Sequence, residues 1–393
     1  MDKIRTGFAD QIRAARNDRT TLRIRGGGSK DFYGEQLSGD LLDTRPLSGV
    51  CSYEPSELVV TALAGTPLVE LENLLAERGQ YLAFEPPHFG AGATVGGMVA
   101  AGLSGPARAA AGSVRDHVLG VQMLNGSGQS MRFGGQVMKN VAGYDVSRVL
   151  AGSLGTLGVI TEVSLKVLPR PIAEASLCFA LTQADALRQL NRWAGRPLPI
   201  NASCWSPEPG RRSRGSNSAQ QGRLHIRLRG AQAAVTAACQ ELAGEHMEPA
   251  LAQDFWLSVR EQSADFFACD ADQCLWRLSV PDTAAELPLS DLDAVVEWGG
   301  ALRWVKAPAT HAMALRDAAH AVGGQAVLFR RAVGTSASWP AFLHPMAEPL
   351  QRIERALRAQ FDPSGVFSHT RLSGAFQVAP AGDKVIHADT TRA

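Results

Sequence analysis

Cysteine is sparse in this chain, and it is scattered. The 393 residues include six, Cys51, Cys178, Cys204, Cys239, Cys269 and Cys274, and no two form a C-x-x-C pair. This spacing predicts reduced thiols in a cytoplasmic protein rather than a disulfide framework. It also argues against an iron–sulfur cluster held by this chain, because such clusters need grouped thiolates. Charge of one sign is lacking too. With 39 Lys and Arg against 38 Asp and Glu, the net charge is +1, and no basic block of the density that nucleic acid requires is present. Long apolar runs are missing. The least polar stretch, GAGATVGGMVAAGLSG at 90–105, carries six glycines and is too short to span a membrane. The N-terminal stretch has Ile4, Phe8 and Ile12 at helical spacing between acidic residues, which predicts an amphipathic helix and not a signal or transit peptide.

Glycine, by contrast, is plentiful and clustered. LRIRGGGSKDFYG at 22–34 runs from a short strand into three consecutive glycines. Such a run costs chain entropy and is kept where backbone must approach something closely. A phosphate loop of the Walker type would need Lys followed by Ser or Thr, but here Lys30 precedes Asp31. A dinucleotide fingerprint would need G-x-G-x-x-G leading directly into a helix, and RGGGSKDF lacks it. A plain structural turn remains for an isolated Gly-Gly-Gly.

The loop is not isolated. Thr94-Val95-Gly96-Gly97 can open a helix whose amides face an anion or a flavin carbonyl. Gly112-Ser113-Val114 precedes a strand, and Gly152-Ser153-Leu154-Gly155 forms another bend before one. Several glycine-lined approaches in one region suit one large, flat ligand that carries phosphates.

The elements around them follow from periodicity. Leu58 to Ala62 reads as a strand. Thr66 caps the next helix, Pro67 fits its first turn, Leu68, Leu71, Leu74 and Leu75 form its apolar face, and Gly79 ends it. VLGVQMLNGSGQSMRF is a hairpin turning at Asn125 to Gly128, and VITEVSLKVL from Val159 is a half-buried strand. Pro169 and Pro171 then mark a boundary. Beyond it come strands (SLCFAL, RLHIRLRG, CLWRLSV, VEWGGALRWV, QAVLFR) and helices (ADALRQLNRWAG, HAMALRDAAHAVGG). The Gly/Ser/Arg loop at 206–223 reads either as a solvated segment or as a surface for an acidic partner. A closing helix carries the stripe Leu350, Ile353, Leu357 and Phe361, broken at Asp362-Pro363-Ser364-Gly365.

These residues carry a resemblance. Arg25-Gly26-Gly27-Gly28-Ser29, Ala93-Thr94-Val95-Gly96-Gly97, Gly112-Ser113-Val114-Arg115-Asp116, Gly143-Tyr144-Asp145 and Gly152-Ser153-Leu154-Gly155 through Glu162 resemble, in order, the FAD-binding domain of the vanillyl-alcohol oxidase (p-cresol methylhydroxylase, PCMH-type) superfamily. More narrowly, VMKNVAGYDVSRVLAGSLGTLGVITEVSLKVLPRP with VEWGGALRWV, VLFR and FDPSGVF resembles the family of FAD-binding E subunits of bacterial glycolate oxidase. The resemblance implies an α+β fold: a two-subdomain FAD-binding domain at 1–171, an α/β cap at 172–345, a closing helix at 346–371 and a loose tail at 372–393. It implies FAD with its pyrophosphate on Gly26, Gly27, Gly28 and Ser29, and with Arg25 either adding charge or merely leaving the strand edge. Thr94, Val95, Gly96, Gly97, Gly112, Ser113 and Val114 would lie near pyrophosphate and isoalloxazine. Val159 and Ile160 would lie toward the adenine end, and Gly155 is also among the residues expected to bind FAD. Some relatives attach FAD through a histidine in the first loop; this loop has none, which implies non-covalent FAD.

Oxidising a 2-hydroxy acid such as glycolate needs a base or metal at the hydroxyl and a cation for the carboxylate. Related catalytic-type subunits carry H-G-D-G-N-x-H, and nothing like it is present here. His311 and His320 are nine apart and face opposite sides of a helix. His225 has no nearby His or acid in sequence. His344 is a candidate for the flavin face, and Arg303 and Arg330 are candidates for a carboxylate. The catalytic residues stay unassigned, and no metal site is expected. Ser368-His369-Thr370 replaces the family's Asn-Pro-Gly turn, which puts C-terminal contacts in question. Three functions remain open. One is a FAD subunit working with a second flavoprotein subunit and an iron–sulfur subunit, in the cytoplasm or at the inner face of its membrane. The others are a stand-alone 2-hydroxy-acid dehydrogenase and a scaffold without flavin.

Overall fold

The computed structural model describes residues 1–36, 38–135, 145–208, 221–289, 291–333, 339–367 and 371–372. Gly143 and Tyr144, the middle of the 206–223 loop, Ser368-His369-Thr370 and the tail beyond 372 lie outside the described residues.

Helix α1 (Asp2–Asp18) buries Phe8, Ala9, Ile12 and Ala15 and ends at Arg19 in a left-handed conformation. Strand β1 (Leu22–Arg25) pairs in parallel with β2 (Asp40–Asp43). Then follow β3 (Val50–Glu54), β4 (Val59–Leu63), α2 (Leu68–Ala76), β5 (Gln80–Tyr81), α3 (Val95–Ala101), α4 (Arg108–Ala111), α5 (Val114–His117), β6 (Val118–Leu124), β7 (Ser130–Gly134), β8 (Val159–Lys166) and β9 (Leu168–Pro169). Five of these strands form an antiparallel sheet in the order β3-β4-β8-β6-β7. Its apolar face packs on α2 and α3 through Leu68, Leu71, Leu75, Val95, Met98 and Val99.

The second sheet draws on later residues. It contains β10 (Ala173–Thr182), β11 (Ile200–Pro207), β12 (Gln221–Gly230), β13 (Glu245–His246), β14 (Cys274–Ser279), β15 (Ala294–Glu297), β16 (Leu302–Ala307) and β17 (Gln325–Arg330). Their order is β13-β10-β12-β11-β15-β16-β14-β17. Helices α6 (Gln183–Ala194), α7 (Gln232–Leu242), α8 (Pro249–Glu261) and α9 (Ala312–Ala321) interrupt them, and α10 (Glu348–Phe361) follows. Two cores, under α6 with α7 and under α9, cover one face of this sheet. The other face meets the first unit through an aromatic core in which Tyr33, Ala101 and Leu103 pack with Trp256, Trp298, Trp304 and Phe329. No described helix is long and apolar enough to cross a membrane.

Several elements depart from the sequence reading. Thr66 does not cap α2; its hydroxyl donates to Leu63 O at 2.7 Å and bonds Gly49, while Leu68 N is taken by Ala93 O. Strand β8 is not half-buried, because it is the middle strand of its sheet. Its Thr161 and Ser164 are buried, the Ser164 hydroxyl lies 2.9 Å from that of Thr61, and Arg5 of α1 reaches over to Glu162. VEWGGALRWV is two strands, β15 and β16, hinged where Gly299 and Gly300 take φ of 69° and 108°. Gly112-Ser113-Val114 leads first into the short helix α5, closed by a Ser113–Asp116 capping box, and only then into β6. In α10, Phe361 is buried and Leu357 packs beside it, but Leu350 and Ile353 are exposed. Strand β11 and helices α7 and α8 are additions to the sequence reading, each with a weakly contrasted apolar pattern.

Partly buried carboxylates tie the two units together. Glu85 lies 2.7 Å from Arg227 Nη2 and 2.6 Å from Arg229 Nη1, both on β12, and accepts Ala107 N at 3.2 Å. Burial pushes the Glu85 carboxyl up, but the two guanidiniums more than reverse this and hold it below its ordinary value of 4.5. Glu35 accepts from Phe342 N at 2.7 Å and pairs with Arg331. Because the Glu85 pKa is depressed on folding, its contribution is present above the ordinary carboxylate range and is lost as pH falls through the folded value. Glu85→Gln should cost about 3 kcal/mol of unfolding free energy, since it leaves the buried Arg227 guanidinium without a counter-charge, while Arg229 keeps Glu174. Urea titration at neutral pH checks this, and a cost below about 0.5 kcal/mol would remove the clamp from the account.

Candidate functional site

Strand β1 delivers the chain into the glycine loop at the level of α3. The loop and helix enclose a cleft of about 500 Å³ including its mouth, lined by Ile24, Arg25, Gly26, Gly27, Gly28, Ser29, Lys30 and Asp31, with Thr94, Gly97, Ala100, Ala101, Leu154 and Arg371 opposite. The loop lies flat because it has no side chains to place. A Cβ on Gly27 would stand 1.5 Å from Gly92 O, and one on Gly26 would stand 2.4 Å from Thr94 Oγ1. Gly28 adopts φ of 76°.

Among the described residues, none accepts a hydrogen bond from the amides of Gly26, Gly27, Gly28 or Ser29. Four successive donors in a cleft wall form an anion-binding surface of the nest kind. Lys30 adds a cation. Burial lowers its pKa to about 8 against the opposing pull of Glu261, and its ammonium donates to His88 O at 3.1 Å. An anion beside it would raise that value again. Arg25 is committed within the loop, with Nε 2.7 Å from Asp31 Oδ2. It shapes the loop and leaves the net charge to Lys30.

The residues expected near the ligand divide into two groups. Arg25, Gly26, Gly27, Gly28, Ser29, Thr94 and Gly97 come together in the cleft. Gly155, with φ of 79°, stands against Ile24 at the cleft floor. The others stand behind the wall. Val95 and Gly96 begin α3 as expected, but their amides are spent on Thr66 O at 2.9 Å and Ala64 O at 2.7 Å, and Gly97 N on Thr94 Oγ1 at 3.2 Å. The expectation of free amides at this helix start is therefore corrected. Gly112 N, Ser113 N and Val114 N are held by Arg108 O, Asp116 Oδ2 and Ser104 Oγ. Val159 and Ile160 bury their side chains in two hydrophobic cores.

Arg371 is a further residue of the site, not among those expected from the sequence. It reaches back from the C-terminal segment to Lys30 O at 2.9 Å and Tyr33 O at 2.7 Å, and so secures the loop. Its signal in the sequence was the arginine that closes the family's terminal turn.

The candidates for substrate chemistry do not gather at this cleft. His344 accepts from Ala326 N at 3.3 Å and stacks on His320, on the α9 side of the second sheet. His225 lies against Phe255, and burial lowers its pKa to about 4, so it is neutral at pH 7. Arg303 is buried and donates to Gly300 O and Ala284 O. Arg330 donates to Phe267 O and Gln262 Oε1 and lies over Phe32. His311 precedes α9 in a short turn.

The close approach of Gly27 to Gly92 makes a direct prediction. Gly27→Ala should destabilise the chain by about 3 kcal/mol through overpacking. Gly7→Ala, where the added methyl meets nothing within 4 Å, should be neutral or stabilising by up to about 1 kcal/mol. Denaturant titration of both variants checks the pair. Equal stability would mean that the two loops do not pack as described.

Comparison with known proteins agrees with this geometry. A family described as FAD binding domain matches residues 8–134. The chain is 43% identical over 365 residues to glycolate oxidase subunit GlcE of Escherichia coli (strain K12), covering 92% of this chain and 95% of that protein. It is 28% identical over 151 residues to glycolate oxidase subunit GlcD of Bacillus subtilis (strain 168), covering 38% of this chain and 32% of the other. In fold it is similar to alkyldihydroxyacetonephosphate synthase, with a TM-score of 0.61 at 15% identity over 91% of this chain and 73% of that one. A glycine loop with free amides, built into a PCMH-type α+β fold that binds FAD, is thus accompanied by similarity along almost the whole length, and the chain belongs to the family of glycolate oxidase subunit GlcE.

Proposed function

We propose that this chain is the FAD-binding subunit of a heteromeric glycolate oxidase that converts glycolate to glyoxylate. Residues 1–171 would hold the cofactor, 172–345 would form the cap, and 346–371 would close the chain back onto the first unit. The observation that carries the reading is the row of four amides, without acceptors among the described residues, beside Lys30 in the cleft against α3. When bound, FAD supplies the electron-accepting chemistry. The chain's residues do the rest. Gly26, Gly27, Gly28 and Ser29 would donate to pyrophosphate oxygens, and the Ser29 hydroxyl and Lys30 ammonium would add to them. Thr94 and Gly97 complete the wall. Val95, Val114, Val159 and Ile160 bury in the cores behind the wall, Gly96, Gly112 and Ser113 are fixed there through their bonded amides, and Gly155 stands against Ile24.

The loop from Arg25 to Asp31 offers no histidine, so FAD is held non-covalently. The division of labour follows from the thiols and acids. Among the described residues no group of three or more His, Cys, Asp or Glu is arranged to hold a metal. A second flavoprotein subunit and an iron–sulfur subunit would carry the further electron transfer. The complex would work in the cytoplasm or at the inner face of its membrane, in glyoxylate metabolism.

An absorbance spectrum of the chain purified alone, followed by anaerobic glycolate, tests this reading. The expected result is a flavin spectrum, FAD released into solution on denaturation, and a flavin that stays oxidised until the partner subunits are added. Bleaching by glycolate without partners would make the lone chain a dehydrogenase. A folded but colourless protein that takes up no added FAD would refute the cofactor assignment.

A further inference from the structure

Glu261 is the last residue of α8, where an acid faces the negative end of the helix dipole. The helix gains nothing from it there. The carboxylate instead crosses to the first unit and accepts His88 N at 3.1 Å and Phe89 N at 2.8 Å. Phe89 holds φ of 53°, a left-handed conformation that a bulky residue keeps only where its surroundings fix it. One carboxylate on two successive amides fixes it.

The same segment reaches the glycine loop from its other side. Lys30 donates to His88 O at 3.1 Å, and its ammonium lies 5.6 Å from the centre of the Phe89 ring. Ser29 Oγ, at 3.4 Å, is its second acceptor. Lys30 makes no salt bridge to a described residue, so an ammonium with three donors keeps one of them for the cleft. Behind the segment, Arg260 Nε bonds Glu261 at 2.8 Å, and His88 Nε2 lies 3.0 Å from Glu72 of α2. His88 and Phe89 thus form a strut, with the second unit on their amides and the glycine loop on a carbonyl.

We propose that Glu261 is a positioning residue for the cofactor loop, acting through His88 and Phe89 to aim the Lys30 ammonium into the cleft, and that FAD binding is thereby coupled to proton uptake at Lys30. The inference rests on the FAD site proposed above. Lys30 is faced by Glu261 from α8, with Arg260 bonded to it, by Arg25 and Asp31 from its own loop, by Arg371 from the C-terminal segment and, through His88, by Glu72. Burial lowers its pKa to about 8, and the charge of Glu261 acts in the opposite direction. A pyrophosphate in the cleft favours the charged ammonium. FAD affinity is therefore full below pH 8 and falls as pH rises above it, because binding must then recharge Lys30. Without the charge of Glu261, the fall begins at a lower pH.

The experiment is FAD titration of the apo full chain between pH 6.5 and 9.0, read by flavin fluorescence, with calorimetry at pH 8.0 in two buffers of different ionisation heat. The wild type should bind about tenfold more weakly at pH 9.0 than at pH 7.0 and take up about half a proton per FAD at pH 8.0. Lys30→Met should bind more weakly at pH 7.0, show no such pH dependence and take up no proton. Glu261→Gln keeps an acceptor for the two amides and should fold, as circular dichroism checks, with the midpoint of the pH profile moved down. A merely structural role of Glu261 would weaken FAD equally at every pH. Affinity indifferent to pH, proton uptake that persists in Lys30→Met, or an unmoved midpoint in Glu261→Gln overturns the proposal while leaving the FAD assignment intact. A wild type that binds no FAD at any pH would instead count against the function proposed above.

Discussion

The approach of two glycine backbones sets the geometry of the first unit. Gly27 lies so close to Gly92 O that no side chain fits between them, and Gly26 lies against Thr94 in the same way. This contact presses the loop after β1 onto the segment leading into α3. It leaves the loop's own amides without an acceptor among the described residues, a costly state in a buried setting unless a ligand or water satisfies them. Packing and binding are therefore two consequences of one requirement. The glycines are needed for the backbones to touch, and the touching exposes the donors.

The second constraint is electrostatic. The interface between the two sheets is rich in aromatic side chains, yet its orientation is set by carboxylates that reach across: Glu85 to β12, Glu35 to Arg331, and Glu261 of α8 to the amides of His88 and Phe89. Glu261 also acts on Lys30, so the α8 end of the second unit and the cofactor loop share one charge environment. Apolar contact alone would tolerate sliding; buried charge pairs with fixed hydrogen-bond geometry do not.

Much of this was legible in the sequence. The glycine loop, the N-terminal helix, the Asn125–Gly128 hairpin and most strands of the second sheet follow from turn chemistry and periodicity, which act locally. What was not legible depended on distant partners. Val95 and Gly96 look like free helix-start donors until Ala64 and Thr66 are seen to take them. Strand β8 alternates as a half-buried strand would, but a central position buries its polar positions as well. Leu350 and Ile353 have the right spacing for a buried stripe, yet only the last turn of α10 reaches the core.

The central claim is that the amides from Gly26 to Ser29 hold the pyrophosphate of FAD. Hydrogen–deuterium exchange on the apo chain, with and without FAD, tests it most directly. The account predicts strong protection of the peptide spanning 24–34 on binding, with little change at 112–118, whose amides are already bonded. Protection that spares 24–34 while FAD is bound would contradict it and place the phosphate site elsewhere in the fold.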